Sequence, residues 1–567
     1  MRIDRRFVSH SMKLLFLPFL LSASFTCAQS VTRGPYLQFP TDQSMIVRWR
    51  TDVPTQSRVH YNTSIAGLAS QYTGTPALVT DHSVTLNFLQ PLTEYFFGVS
   101  DGINIISGED STHRFTTWPT PGGTEPVRAW VIGDFGKGNA EQMQVKQSFI
   151  DEFGDDMPNF WIWLGDNAYE SGSDQEFQDK VFGTNSNYHP MFTRMPFLPC
   201  PGNHDYLSVM SPALTINPPD QDGPYFDIVD VPTNGEMGGV PSGYELYYSY
   251  DYGNVHFLSL NSEIGSIFSG SDDWIGSSPF NSFSSSPFTQ WLHNDLQAND
   301  KPWVVAYFHQ PPHTDGSHDS DAFWEIYMEA MRENICPILE NYGVDVVYSG
   351  HSHVYERSYL INGFFGEPSD FNSATHIVDG SSGKLSDGTP YVKYVDGPDE
   401  GVGTVYVVQG NSASKDDDAS LNHPAHYFGH GCGTCVGSSV FEVNGDTLTG
   451  RYLAATGEFL DDFTIIKSSV VTVGDETKYV QPEIKIAPNP FSDQTSISWE
   501  LNNVMEGELL VTALDGRIVA TLFHGDFIKT GSIQVSANEL GLANGVYLIS
   551  IKTADREVVK RIMRIAE

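Results

Sequence analysis

A layered α/β core, preceded and followed by a small β-sandwich, is the architecture this 567-residue sequence predicts. Three observations predict it. Between Val31 and Thr117, short runs of alternating apolar and polar residues are parted by turn clusters, the pattern of a half-buried antiparallel sandwich. From Val127 onward, short apolar runs, several of them alternating with helical stretches, read as strands buried on both faces. After Lys467 the texture returns to short strands and turns. The length leaves room for about three or four folded units.

The elements follow in order. Met45 to Trp49, Ser57 to Tyr61, Ser83 to Leu89, Tyr95 to Ser100 and His113 to Thr117 read as the strands of the first sandwich, over residues 31–118. A Pro/Gly-rich linker, Trp118 to Pro126, closes it. In residues 127–466 the apolar runs are Val127 to Ile132, Phe160 to Leu164, Val255 to Leu260, Trp303 to Phe308, Val344 to Tyr348 and Val405 to Val408. Helices are predicted over Glu141 to Phe153, Thr289 to Gln297 and Ala322 to Asn341, and closing antiparallel strands over Phe441 to Ile466. Ser211 to Pro224, Ser266 to Pro287 and Asp379 to Gly403 read as long surface loops. Residues 484–567 form a last strand-and-turn unit.

Composition excludes several classes. With 40% hydrophobic and 13% aromatic residues, the chain is too apolar for an acidic disordered protein. It has neither heptads nor a Gly-x-y period. A formal charge of −39 argues against a nucleic-acid or anionic-membrane binder, which needs a basic face. Residues 1–28 read as a secretory signal: a basic start (Arg2, Arg5, Arg6, Lys13), an apolar stretch Leu14 to Leu21, and small residues before Gln29. That stretch is well short of the ~20 residues a bilayer span needs, and no later segment supplies one. Of the cysteines beyond the signal, Cys432 and Cys435 read as a local loop clamp, and Cys200 and Cys336 as buried thiols.

Five clusters carry the chemistry: Gly133-Asp134-Phe135-Gly136, Gly165-Asp166-Asn167-Ala168-Tyr169, Gly202-Asn203-His204-Asp205, His309, and Gly350-His351-Ser352-His353. Most follow an apolar run directly, which gathers them on one rim of a sheet. Glycine lets the backbone turn sharply and approach an ion. Carboxylates, imidazoles, an amide oxygen and a phenol, with no thiolate, suit harder cations at two adjacent positions, which Asp166 can bridge. The Tyr169 phenol ionises near neutral pH only against a strong Lewis acid, which points to a trivalent ion such as Fe(III). Two such ions can activate water and clamp a phosphoryl group.

This set, with Gly350-His351-Ser352-His353-Val354-Tyr355-Glu356-Arg357 in full, resembles the purple acid phosphatases of the metallophosphoesterase superfamily. Arg33-Gly34-Pro35-Tyr36-Leu37-Gln38 and Val47-Arg48-Trp49-Arg50 resemble the fibronectin-III-like domain ahead of such enzymes. The resemblance implies a four-layer α/β (α+β) sandwich over 127–466. It implies Asp134, Asp166, Tyr169 and His353 on an Fe(III) site, and Asp166, Asn203, His309 and His351 on a divalent site holding Fe, Zn or Mn. The implied activity is hydrolysis of phosphate monoesters by metal-bound hydroxide, at mildly acidic pH. Phosphodiester or nucleotide cleavage at the same centre is the alternative, and a non-catalytic surface adhesin a distant one. His204 matches the family's outer-sphere histidine, which binds phosphate and protonates the leaving oxygen. A second such histidine is expected after His309, where His318 and His313 both qualify. Tyr355, Glu356 and Arg357 read as braces of the His-Ser-His loop, and the Asp416 to Asp418 run as a solvated loop that could bind calcium.

The last ~80 residues resemble the C-terminal sorting domain of the type IX secretion system, on Ala487-Pro488-Asn489-Pro490-Phe491, Leu514-Asp515-Gly516-Arg517, Gly545-Val546-Tyr547 and the basic tail from Lys560. That implies the secretion machinery as a partner, and a secreted or cell-surface location.

Overall fold

The structure is a computed structural model. It describes residues 29–183, 188–206, 208, 223–263, 286–415, 421–432, 435–469, 483–500, 505–513, 517–527, 530–553 and 557–565. The expected signal at 1–28, the Asp416 to Asp418 run, the Leu514-Asp515-Gly516 turn and most of the two loops between Ser211 and Pro287 lie outside the described residues. The chain divides into two compact units at Val470/Val471.

The first unit opens with a six-stranded sheet organised by one long strand, Met45–Asn62. Its first half pairs with Val31–Gln38 and its second with Glu94–Ser100, while Tyr72–Leu86 runs along both halves. The exposed residues 52–54 separate the halves, where the register shifts. Alternation along the strand sends Val47, Trp49, Val59 and Tyr61 inward, against Leu37, Phe97, Val99 and Phe115.

Two mixed seven-stranded sheets follow. One carries Val127–Ile132, Phe160–Leu164 and Phe197–Cys200 in parallel, joined antiparallel to Gly437–Asn444. The other carries Val255–Ser259, Trp303–Phe308, Val346–Ser349 and Val405–Gln409, all parallel. Alternation sorts their side chains into two cores. Phe257, Val305, Tyr307, Val346 and Tyr348 join a cluster with Phe160 and Phe441 of the facing sheet. Leu258, Val304, Ala306, Phe308 and Val347 instead bury against Phe288, Trp291, Leu292, Ile335 and Leu339. Those last residues belong to helix Pro287–Ala298 and to the helical stretch Ile326–Asn341. Helix Ala140–Phe153 covers the other sheet with Val145 and Phe149. Helix, sheet, sheet and helix make four layers, and continuous apolar strands are what double burial requires.

Two expectations are corrected. The helix predicted from Ala322 begins at Ile326, because Ala322 and Glu325 instead close tight turns. The Val344 run joins the sheet only from Asp345, whose N–H donates to Val304 O and whose C=O accepts from Val405 N, while its buried carboxylate is held by Lys393 and Lys467. Cys432 and Cys435 form a disulfide, and Cys200 and Cys336 are buried thiols. No helix among the described residues is long and apolar enough to cross a membrane.

A buried titrating triad pins the edge of the second sheet. His256 lies between Asp251 and Asp295, with 2.7 Å to a carboxylate oxygen on each side. Burial works against its charged form, but the two carboxylates more than reverse this and raise it from 6.5 to about 9. A folded pKa above the unfolded one gives stability that is full below pH 6.5 and is lost as pH rises through 9. The whole effect is about 3 kcal/mol. Denaturant unfolding between pH 6 and 9.5 should therefore show a decline that the variant His256→Asn flattens.

The second unit, described by itself, closes a three-stranded sheet (Glu483–Ala487, Gln494–Glu500, Thr530–Ser536) and a four-stranded one (Met505–Ala513, Ile518–Phe527, Gly545–Thr553, Glu557–Arg564) around Ile497, Leu509, Val511, Ile549 and Ile551.

Candidate metal centre

The parallel strands of both sheets end at one rim, and the loops leaving them bring the predicted ligands together. Asp134 lies just beyond Val127–Ile132, Asp166 just beyond Phe160–Leu164, and Asn203 just beyond Phe197–Cys200. From the facing sheet come His309, next after Trp303–Phe308, and His351 and His353 after Val346–Ser349. Asp134, Asp166 and His351 all take positive φ, of 56°, 51° and 64°. Side-chain-bearing residues avoid that region unless the surroundings impose it, and such strain gathers at functional sites. The glycines allow the close approach. A Cβ on Gly165 would stand 2.5 Å from His309 Nδ1, and one on Gly350 2.7 Å from an Asp134 carboxylate oxygen.

Two donor sets result. Around His309 Nε2 lie Asn203 Oδ1 at 3.1 Å, His351 Nδ1 at 3.1 Å and Asp166 Oδ1 at 3.3 Å. His309 Nδ1 donates to Leu164 O at 2.8 Å, which turns the lone pair on Nε2 into the site. Four electron-rich atoms this close, all buried or nearly so, need a cation among them. In a bare site a proton takes that place. Burial works against a charged His309, but Asp166 raises it to about 10. The second set is Tyr169 Oη, 2.8 Å from Asp134 Oδ1 and 3.5 Å from His353 Nε2, with His353 Nε2 3.6 Å from Asp134 Oδ1. Burial, with Asp134 and Asp166 adding, pushes the phenol well above its ordinary value, so only a bound cation would ionise it. The residues fit two cations with hard, mixed O/N donors. Asp166, His309 and His351 present ligand atoms within 4.8 Å of one another.

The outer residues separate. His204 donates from Nδ1 to Glu170 O at 2.7 Å, and its Nε2 is 3.8 Å from Asp166 Oδ2 at the open side. His318 lies with its ring centroid 4.0 Å from that of His351 and 5.9 Å from that of His353. His313 is elsewhere. It is wholly buried, stacked on Phe364 at 5.0 Å and beside Tyr406 and His423, because its loop turns it into the outer core. Burial holds it well below its ordinary pKa, and its ring contacts lie in that outer core rather than at the rim.

Several further residues brace the ligand loops, Asp205, Glu356 and Arg357 within the motifs already noted and Glu325 outside them. Glu325 orients His318 through a 2.8 Å bond at Nδ1 and places its other carboxylate oxygen 3.6 Å from His351 Nε2. Asp205 accepts from the backbone of Gly202 and Asn167, tying two ligand loops together. Glu356 accepts from Thr314 Oγ1, and Arg357 grips Asp461 on the facing sheet through two bonds of 2.6 and 2.9 Å. The first sandwich also reaches the site. Buried Arg33 donates to Asp174 and Gln178, and Arg50 to Asp174. Asp174 opens a short helix whose Glu176 accepts from the backbone of Ser171, just after Tyr169. Only a charged residue near that cap could have suggested the link in the sequence, and nothing in Asp174 itself names its partner.

Comparison with known proteins bears on this geometry. Residues 127–355 match the model for calcineurin-like phosphoesterases, and residues 33–122 the model for the purple acid phosphatase N-terminal domain. A purple acid phosphatase from yellow lupin (Lupinus luteus) seeds superposes with a TM-score of 0.52 at 17% identity, covering 79% of this chain and 78% of its own. The fold is that of a purple acid phosphatase. Two curated relatives are acid phosphatase type 7 of Mus musculus, 24% identical over 62% of this chain and 77% of its own, and probable inactive purple acid phosphatase 9 of Arabidopsis thaliana, 28% identical over 54% of this chain and 47% of its own. The chain thus spans about half the length of the plant relative. Behind the purple acid phosphatase fold, residues 485–565 match the secretion system C-terminal sorting domain.

Proposed function

We propose that this chain is an exported, two-cation phosphatase that hydrolyses phosphate monoesters, with Fe(III) in the tyrosine-bearing position and Fe, Zn or Mn in the other. The observation that carries this reading is the crowding of four electron-rich atoms at His309 Nε2 beside a phenol-carboxylate-imidazole set. Asp134, Tyr169 and His353 would hold the ferric ion, Asn203, His309 and His351 the divalent one, and Asp166 both. The two cations would supply Lewis acidity toward the phosphoryl oxygens and an activated water for in-line attack.

The chain's own residues do the rest. With Nδ1 fixed on Glu170 O, His204 presents Nε2 to the open side, where it binds a phosphoryl oxygen or passes a proton to the departing one. Glu325 fixes His318 in the same way on the other wall. Leu164 O fixes the ring of His309, and the Glu325 carboxylate lies 3.6 Å from His351 Nε2. The sorting-domain match supports export through a secretion system, to the cell surface or beyond.

The test is relative turnover of purified full-length chain on p-nitrophenyl phosphate and bis-p-nitrophenyl phosphate. Monoester preference of at least ~100-fold, about 3 kcal/mol of differential transition-state binding, is expected. A reversed ratio would instead assign a phosphodiesterase, and no turnover on either, in metal-loaded protein, would remove the enzymatic reading.

A further inference from the structure

Two aromatic rings stand in solvent immediately before Glu325, whose carboxylate meets His318. Phe323 is 87% exposed and Trp324 65%, with ring centroids 4.8 Å apart and edge to face. Every other tryptophan among the described residues is buried, so Trp324 is the one that folding does not account for. Paired exposed aromatics keep an unfavourable contact with water, and where they persist they commonly meet a ligand.

Their support is rigid and polar. The segment from Thr314 to Glu325 lies along the His351-Ser352-His353 loop so closely that a Cβ on Gly316 would stand 2.1 Å from Ser352 Oγ. Thr314 donates to buried Glu356 at 2.5 Å, and Ser320 O and Asp321 accept from buried Arg332 at 3.1 and 3.0 Å. Backbone bonds from Ala322 N to Asp319 O and from Glu325 N to Ala322 O close two turns around the aromatic pair. The next residue, Glu325, is the carboxylate that reaches His318 and His351. Trp324 is therefore joined by one peptide unit, ~3.8 Å between Cα atoms, to a group in contact with the centre.

We propose that Phe323 and Trp324 form a platform for the leaving group, and that the preferred substrates are phosphate monoesters of aromatic alcohols. This rests on the phosphatase reading above. With the phosphoryl group at the centre, the ester substituent extends past His318 toward the rim, where an aromatic ring stacks on the pair and a short aliphatic chain finds no partner.

The experiment compares kcat/KM for phenethyl phosphate and n-propyl phosphate, whose leaving alcohols are of similar acidity, so that the ratio reads the ring and not the chemistry. Wild-type full-length protein is expected to favour phenethyl phosphate about tenfold, the upper range of one aromatic contact. In the double variant Phe323→Ser with Trp324→Ser the ratio should fall to about one. A wild-type ratio near one, or one that survives the substitution, overturns the proposal while leaving the phosphatase reading intact. Should neither alkyl ester be cleaved, the phosphatase reading is judged on p-nitrophenyl phosphate alone. Calorimetry with phenylphosphonate and methylphosphonate then decides on wild-type protein alone: about tenfold tighter binding of the phenyl compound supports the platform, and equal binding overturns it.

Discussion

Substituting Asp166→Asn is expected to lower kcat/KM on p-nitrophenyl phosphate by about a thousandfold, equivalent to ~4 kcal/mol of transition-state stabilisation. It is also expected to reduce the metal content of purified protein from about two ions per chain to one or fewer. The carboxylate is almost wholly buried and faces His309 Nε2 at 3.3 Å. It also accepts from the backbone of His204 at 2.8 Å. The amide can keep the volume and part of that hydrogen bonding but removes the negative charge that a shared cation ligand provides. Losses in activity and in metal should therefore go together, measured by steady-state kinetics and elemental analysis of the same preparation. Unchanged metal content with unchanged turnover would refute the assigned ligation.

The second large effect is on stability. Arg357→Leu should destabilise the first unit by about 4 kcal/mol, read as a lower denaturant midpoint. Arg357 and Asp461 are both fully buried and paired bidentately, and Tyr355 Oη also donates to Asp461 at 3.1 Å. They join the strand after His353 in one sheet to the Phe459–Ser468 strand of the other. Removing Arg357 leaves the buried Asp461 carboxylate with only the Lys384 ammonium, at 3.3 Å, to balance it, which costs more than the pair contributes. The double variant Arg357→Leu with Asp461→Leu should recover much of the loss. A single variant less than ~1 kcal/mol below wild type would mean that the joint does not hold the sheets together.

What the sequence announced and what it hid differ for physical reasons. The strand-glycine-ligand runs at Asp134, Asp166 and His351 were readable because chemistry and backbone need coincide there. The strand end sets the rim, glycine permits the approach, and the ligand accepts a positive φ. The two cores were readable in the largely apolar runs, since a strand covered on both faces keeps few polar positions, such as His256 and Asp345. The choice between His313 and His318 was not readable, because both follow His309 at workable distances. What separates their places is that one ring packs on Phe364 while the other meets Glu325, a residue without a motif. The late start of the helix at Ile326 is equally a tertiary matter. Turns held by Arg332 override the helical pattern before it. The Arg33–Asp174 contact spans 141 positions, and local pattern carries no information over that range.

The central claim is that seven side chains from five loops hold two different cations. Elemental analysis of the purified full-length chain, with its visible spectrum, tests it most directly. The expected result is about two metal ions per chain, one of them iron, with a tyrosinate-to-iron band that disappears in Tyr169→Phe while both ions remain near stoichiometric. A chain that binds one ion or none after metal loading, with its fold intact by circular dichroism, would contradict it.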